Sequence, residues 1–394
     1  MNKPQTHDIS SERGGTPAIR HLAVFGSYSD HDLYQRNRTL VELLTATSES
    51  AVFITPEKRD SHHHLAAAAS LGSRLGRLIS DGLTLWRRRR ELAAADVIFV
   101  PYPAYLELIL LRLMRLRRDR FVIADAFLEL HSTVVEDRQL FPPGGLRAKA
   151  LIAFQRLTLS FADVLLIDTV SQGKLLKQRL LPSETKVRAV PVGIDERLWT
   201  PLERKAPEAV CEFLFWGTFI PLHGVETIFH AASILQSRGA AIHIRMIGDG
   251  QTAPLLASLR AGRTLENLSW ERELQSTSQL REALARTDAV LGIFGASAKA
   301  GDVIPYKVHQ AMASNKPVVT RGGGEVDAIA EEKEGLFTCA AADAEALASA
   351  MEQCQKALKS GLVPSTRNIF DAHFGAAVIA QRLSEVLPPT SQYS

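Results

Sequence analysis

Cysteine is scarce: 394 residues carry three, Cys211, Cys339 and Cys354, without paired or metal-type spacing. That argues against a disulfide framework and fits a reducing compartment. Long apolar runs are missing as well. LELILLRLM is cut by Arg112 and ALIAF stops at Gln155 and Arg156, so no stretch reaches the about 18 to 20 residues that cross a bilayer. The opening residues, MNKPQTHDISSERGGTPAIR, lack an apolar block and read as a tail rather than a signal peptide or anchor. Neither G-x-G-x-x-G nor a P-loop occurs, which removes support for a dinucleotide fingerprint and a nucleotide-triphosphate hydrolase. The histidines at 62–64 have no metal partners at suitable spacing and read as a solvated loop. Net charge is only +3, and no nucleic-acid partner is expected. Its basic share gathers in RRRR at 87–90 and LRLMRLRRDR at 111–120. Those runs are either solvated helix faces or a surface for an anionic membrane.

What is present is a regular alternation of strand-like and helical patterns. HLAVFGS, AVFIT, DVIFVPYP, RFVIADA, DVLLIDT and KVRAVPVG come first, then EFLFWGT, IHIRMIG, LSW, AVLGIF, KPVVT and GLFT. Alternation of this kind builds parallel sheets from right-handed βαβ units. The expected architecture is α/β: two doubly wound, Rossmann-like parallel-sheet domains facing across a cleft. The divisions are a disordered tail at 1–19, a first domain at 20–190, a linker at 191–210 where proline, glycine and charge interrupt the pattern, and a second domain at 211–370. A helical segment at 371–394 can belong to either half, including by crossing back to the first domain.

Ligands of such sheets bind beyond the carboxyl ends of the strands. That rule selects GSYSDHDLYQRNR and DAFLELH in the first half, and GTFIPLHG, GDG, FGASAKAGDVIPYK and RGGGE in the second. In GDVIPYKVHQAMASNKPVV, Pro305 suits a first helical position. The amides of Tyr306, Lys307 and Val308 would then be spare donors, and Lys307 would add a full charge beside them. The stretch is either an anion site or a capped helix with a solvated lysine.

EFLFWGTFIPLHGVETIFHAASIL, IHIRMIGDG and the segment ending KPVV resemble, in order and spacing, the second domain of retaining glycosyltransferases of the GT-B fold, family 4. GSYSDHDLYQRNRTLVELL resembles the opening strand, loop and helix of a bacterial branch of that family, and KVRAVPVGIDERLWTP its interdomain linker. The likeness spans roughly residues 20 to 355. It implies a metal-independent hexosyltransferase that moves a sugar from a nucleotide diphosphate sugar to a hydroxyl acceptor, with no cofactor beyond the donor. The setting it implies is cell-surface polysaccharide or glycolipid synthesis in the cytoplasm, with a lipid-linked acceptor and peripheral attachment at the inner face of the membrane as extensions. A partner subunit that binds sugar nucleotides without turnover and an epimerase on the same fold are the alternatives.

By the same resemblance, Asp302 stands for a glutamate that binds donor sugar hydroxyls and Gln310 for one that binds the ribose diol. Thr218 and His223 replace an arginine and a lysine of the phosphate loop. Lys307 is then the expected charge at the diphosphate, helped by main chain around Gly217 and Gly224, with Gly248 in the next loop and Arg36 or Arg321 as substitutes. Gly26 and Tyr34 would face the donor from the first domain, with Arg36 in the site and Arg38 at the surface. Asp125 is either an active-site group or the cap of the following helix. His131 is either near the acceptor or, more commonly for such a residue, packed or solvated; Asp137 and Arg138 form a surface pair unless a bound acceptor orders them, and Lys299 is expected to be functionally silent.

Overall fold

In the computed structural model, residues 19–28, 35–56, 80–114, 120–127, 129–181, 186–203, 209–273, 275–330 and 335–388 are described. The amino-terminal tail, the histidines at 62–64 and Tyr34 lie outside them.

Each of the twelve apolar runs forms a strand: β1 Ile19–Phe25, β2 Ser48–Ile54, β3 Val97–Val100, β4 Phe121–Asp125, β5 Val164–Ile167, β6 Lys186–Ala189, β7 Cys211–Trp216, β8 Ile242–Ile247, β9 Leu268–Glu271, β10 Ala289–Leu291, β11 Val318–Arg321 and β12 Leu336–Cys339. Central strands such as VIFV and VLLI are buried at every position. That pattern is produced by helices covering both faces of a parallel sheet. The first sheet has the order β2-β1-β3-β4-β5-β6 and the second β12-β11-β10-β7-β8-β9, with parallel pairing throughout. Strand order reverses between β1 and β3 in one sheet and between β7 and β10 in the other. Loops leaving those strands diverge to opposite faces, and the crevice between them is where such sheets take ligands.

The linker is anchored rather than loose. Trp199 is buried in a core cluster of the second domain with Ile194, and Glu196 accepts from the Ala376 N–H (2.7 Å) while pairing with Arg367 (3.1 Å). After the Thr366–His373 helix, which packs in the second domain through Ile369 and Phe370, the chain crosses over. Ile379 and Leu383 of the Ala376–Ser384 helix, with Val386 beyond it, join the apolar cluster of the first domain beside Leu40 and Leu44. All three cysteines are free and buried.

Candidate active site

The loop after β7 and the loop after β10 meet main chain to main chain. Phe294 N–H donates to the His223 carbonyl and Gly295 N–H to the Leu222 carbonyl, both at 3.1 Å. Gly224, at φ +62°, sits in this contact, where a Cβ would stand 2.6 Å from the Phe294 carbonyl carbon. Its amide donates to Pro221 (3.1 Å) and that of Gly217 to Ile247 (3.0 Å). Both glycine amides are therefore spent on protein carbonyls. What Gly217 supplies is space, since a Cβ there would lie 2.9 Å from His223 Cε1 and 3.2 Å from Lys307 Nζ. Gly248 backs the turn, with a notional Cβ only 2.0 Å from the Gly217 carbonyl oxygen.

Lys307 reaches this gap from the Tyr306–Ala313 helix. Pro305 is the residue before that helix, with extended φ −73° and ψ 156°, one position earlier than the sequence suggests. Val308 N–H donates to the Pro305 carbonyl (2.9 Å), so it is not a spare donor. The charge is carried by the side chain instead: Lys307 is 4% exposed. Its Nζ lies 3.6 Å from the centroid of the Phe215 ring, a cation–π contact worth roughly 1 kcal/mol, and has no hydrogen-bond partner among the described residues. Burial pulls its pKa well below the ordinary lysine value. His223, edge-on to the same Phe215, is likewise driven well below an ordinary histidine, by burial first and the neighbouring Lys307 charge second. Its Nδ1 is also unpartnered. Two basic groups thus flank a glycine gap, and an incoming anion would restore the charge that burial suppresses.

Arg36 and Asp125 have found each other. Arg36 Nε lies 3.1 and 2.9 Å from the Asp125 carboxylate oxygens and Nη2 2.9 Å from one of them. Nη1 donates to the Val190 and Pro191 carbonyls at 2.7 and 3.0 Å. Burial pushes the Asp125 carboxyl up, and Arg36 pulls it back. Every guanidinium nitrogen is engaged, so Arg36 ties β4 to the linker and its charge is already met by Asp125. Asp125 does not cap a helix; it holds this pair. Arg321 is engaged too, giving Nη1 to the Gly295 (2.6 Å) and Ser297 (3.1 Å) carbonyls.

Around that pair the two domains close on one another. Arg36 N–H donates to the Tyr306 hydroxyl (2.9 Å), and Phe127 packs between the Tyr306 ring and the guanidinium. Thr169 Oγ1 donates to the Asp302 carbonyl (2.6 Å) and Ser171 N–H to Glu325 (3.1 Å). Lys299 is 5% exposed and donates across the seam to Thr133, its pKa lowered by burial against the pull of Asp137 and Asp168. One expectation is corrected here. Asp137 is 2% exposed and accepts from Ser297 Oγ (3.4 Å), so it is an interdomain group, not half of a surface pair. Asp168, which closes β5 as Asp125 closes β4, was not singled out from the sequence; the strand-end rule would have found it. Burial pushes its pKa up to about 6.

The remaining candidates are dispersed around the seam. Asp302 ends the short Ala298–Asp302 helix, half-buried, its pKa raised by burial against the pull of Arg321. Gln310 is buried three residues beyond Lys307 on one helix. Thr218 is exposed at the cleft. Gly26, at φ +116°, is shielded by Glu107, whose Cγ would lie 2.5 Å from a Cβ there. His131 is partly buried, with Nδ1 3.6 Å from a Glu136 carboxylate oxygen.

Comparison with known proteins follows this geometry. Residues 211–356, the second domain, match the family model described as Glycosyl transferases group 1. The described residues of both domains have the GT-B fold. The chain superposes on sucrose-phosphate synthase from Thermosynechococcus elongatus with a TM-score of 0.67, at 15% identity, covering 93% of this chain and 98% of that one. Against HepE from Anabaena in complex with UDP-glucose, the TM-score is 0.66 at 14% identity, with 94% and 99% covered. A glycosyltransferase from Rickettsia africae gives 0.57 at 12% identity, with 94% and 97% covered. No curated protein matches in sequence.

Proposed function

We propose that the chain is a glycosyltransferase that moves a sugar from a nucleotide diphosphate sugar to a hydroxyl acceptor with retention at the anomeric carbon. The observation that carries this is Lys307: a buried amine without a hydrogen-bond partner among the described residues, facing the gap at Gly217, at the switch point of the second sheet. The family match over 211–356 and the UDP-glucose held by HepE support the same donor class.

In this reading the diphosphate lies against Lys307 and His223, Gln310 meets the ribose diol, and Asp302 meets sugar hydroxyls. Charge grows on the leaving diphosphate as the glycosidic bond breaks, and a preorganised cation lowers the barrier most at that stage. Lys307 does there what a divalent cation would otherwise do, without a metal. No protein nucleophile is required, because the acceptor attacks from the leaving-group side and a phosphate oxygen takes its proton. The closed seam of Arg36, Tyr306 and Lys299 excludes water that would hydrolyse the donor.

The acceptor is proposed to be a lipid-linked saccharide of polysaccharide or glycolipid synthesis, met at the cytoplasmic face of a membrane. Among the described residues, no helix is long and apolar enough to cross a bilayer. Leu83, Trp86, Leu106 and Leu113 are exposed on two helices that pack on one core through Leu85 and Leu108, next to the basic run at 87–90. Apolar side chains beside arginines suit an anionic surface. At low salt the protein should float with anionic vesicles and not with neutral ones; recovery in the soluble fraction with both removes the membrane from the account. A panel of UDP-, GDP- and ADP-sugars tests the reaction itself. Release of nucleoside diphosphate from one donor supports transfer, whereas binding without turnover supports the partner subunit suggested by Thr218, His223 and Gln310.

A further inference from the structure

We propose that Arg138 is a second diphosphate ligand, delivered to the Lys307 pocket by the first domain. The inference rests on the reading of that pocket as the diphosphate site.

Arg138 ends a π-helical turn, Ser132–Asp137, an uncommon geometry that often appears where a side chain must be re-aimed at a functional site. Its main chain is held on both sides. Arg138 N–H donates to the Thr133 carbonyl (2.9 Å), and its own carbonyl accepts from Gln251 Nε2 of the second domain (3.1 Å). Gln251 follows the loop of Gly248 and Gly250, which packs on Gly217 and Phe219. Arg138 is thus fixed beside the loop that backs Gly217 by contacts that do not involve its side chain.

The guanidinium itself is under-used. Nε is buried without a hydrogen-bond partner among the described residues. The charge lies close enough to weigh on His223, which lines the gap, as well as on Lys299 and Asp137. The acid nearest in the chain, Asp137, is already engaged by Ser297 and by the Lys299 charge. An arginine presents a planar fork of donors that matches phosphate oxygens in pairs, with a charge that burial does not readily remove. Lys307 covers one side of a diphosphate from the second domain, and Arg138 covers it from the first. Ligand binding would then draw on both domains.

The test is calorimetric titration of wild type, Arg138→Gln and Arg138→Lys with UDP, GDP and ADP and with the matching nucleosides. For the diphosphate that wild type binds, Arg138→Gln should raise Kd about tenfold or more, the loss expected for one charge-assisted contact. Arg138→Lys should recover part of this, and nucleoside binding should stay unchanged. An unchanged diphosphate Kd in Arg138→Gln overturns the inference, as does an equal loss for nucleoside and diphosphate, which would indicate packing. If wild type binds none of the three diphosphates, the pocket reading fails and Arg138 falls with it.

Discussion

Lys307 is the residue on which the chemistry turns, and its state changes with its ligand. Burial holds its pKa well below that of a free lysine, so the unfolded chain binds a proton there that the unliganded fold resists. A diphosphate in the gap reverses this preference. Binding should therefore take up a proton, and affinity should fall as pH rises. At one pH, calorimetric enthalpies measured in two non-phosphate buffers of different ionisation heat should differ by the heat of the protons transferred, and Lys307→Met should shrink the difference to the share that His223 supplies. Equal enthalpies for the wild type would place the anion elsewhere. Arg36 and Asp125 belong to stability instead. Removing one partner leaves a buried charge without compensation, so Asp125→Ala should cost about 3–5 kcal/mol in denaturant unfolding. A variant as stable as wild type would mean that the pair is dispensable. Neither partner's assignment could be read from sequence, since 89 positions separate them and only the sheet topology brings the end of β4 against the helix after β1. The position of Lys307 was legible from the strand-and-helix pattern. Its contact with Phe215 and the committed amides of Gly217 and Gly224 were not, because they depend on how two loops cross.

Strands were the most legible elements. A buried parallel strand must be apolar at nearly every position, and this makes runs such as DVIFV and DVLLI stand out without help from their neighbours. Helix ends are less clear: Pro305 precedes its helix by one residue, a shift that local propensity does not decide. The final helix was ambiguous for a related reason. Its apolar face is visible in AAVIAQRLSEVL, but the surface it covers is not. Ile379, Leu383 and Val386 bury against Leu40 and Leu44 of the first domain, so removing residues 376–394 should uncover that cluster. At about 1.5–3 kcal/mol for each large apolar side chain, reduced for a partly collapsed unfolded state, the loss is roughly 4 kcal/mol. Thermal unfolding of the truncated protein checks it. A Tm unchanged from the full chain would show that the helix contributes little to the first domain.

For the molecule as a whole, two sheets of separate origin in the chain place their switch points at one seam. Side chains of Lys299, Thr133, Asp137, Thr169 and Tyr306, with the Arg36 main-chain N–H, hold that seam from both domains. Domain architecture of this kind follows from the alternating pattern, whereas a polar contact across it, such as that of Asp137 with Ser297, is hidden because sequence alone shows a charged residue's neighbours only along the chain. The measurement that bears most directly on the account is steady-state release of nucleoside diphosphate from a UDP-, GDP- and ADP-sugar panel by wild type and Lys307→Ala. If Lys307 meets growing charge on the leaving group, one donor is turned over and the variant loses on the order of a hundredfold in kcat, about 3 kcal/mol, with a smaller rise in KM. A folded Lys307→Ala protein with wild-type kcat would contradict the account.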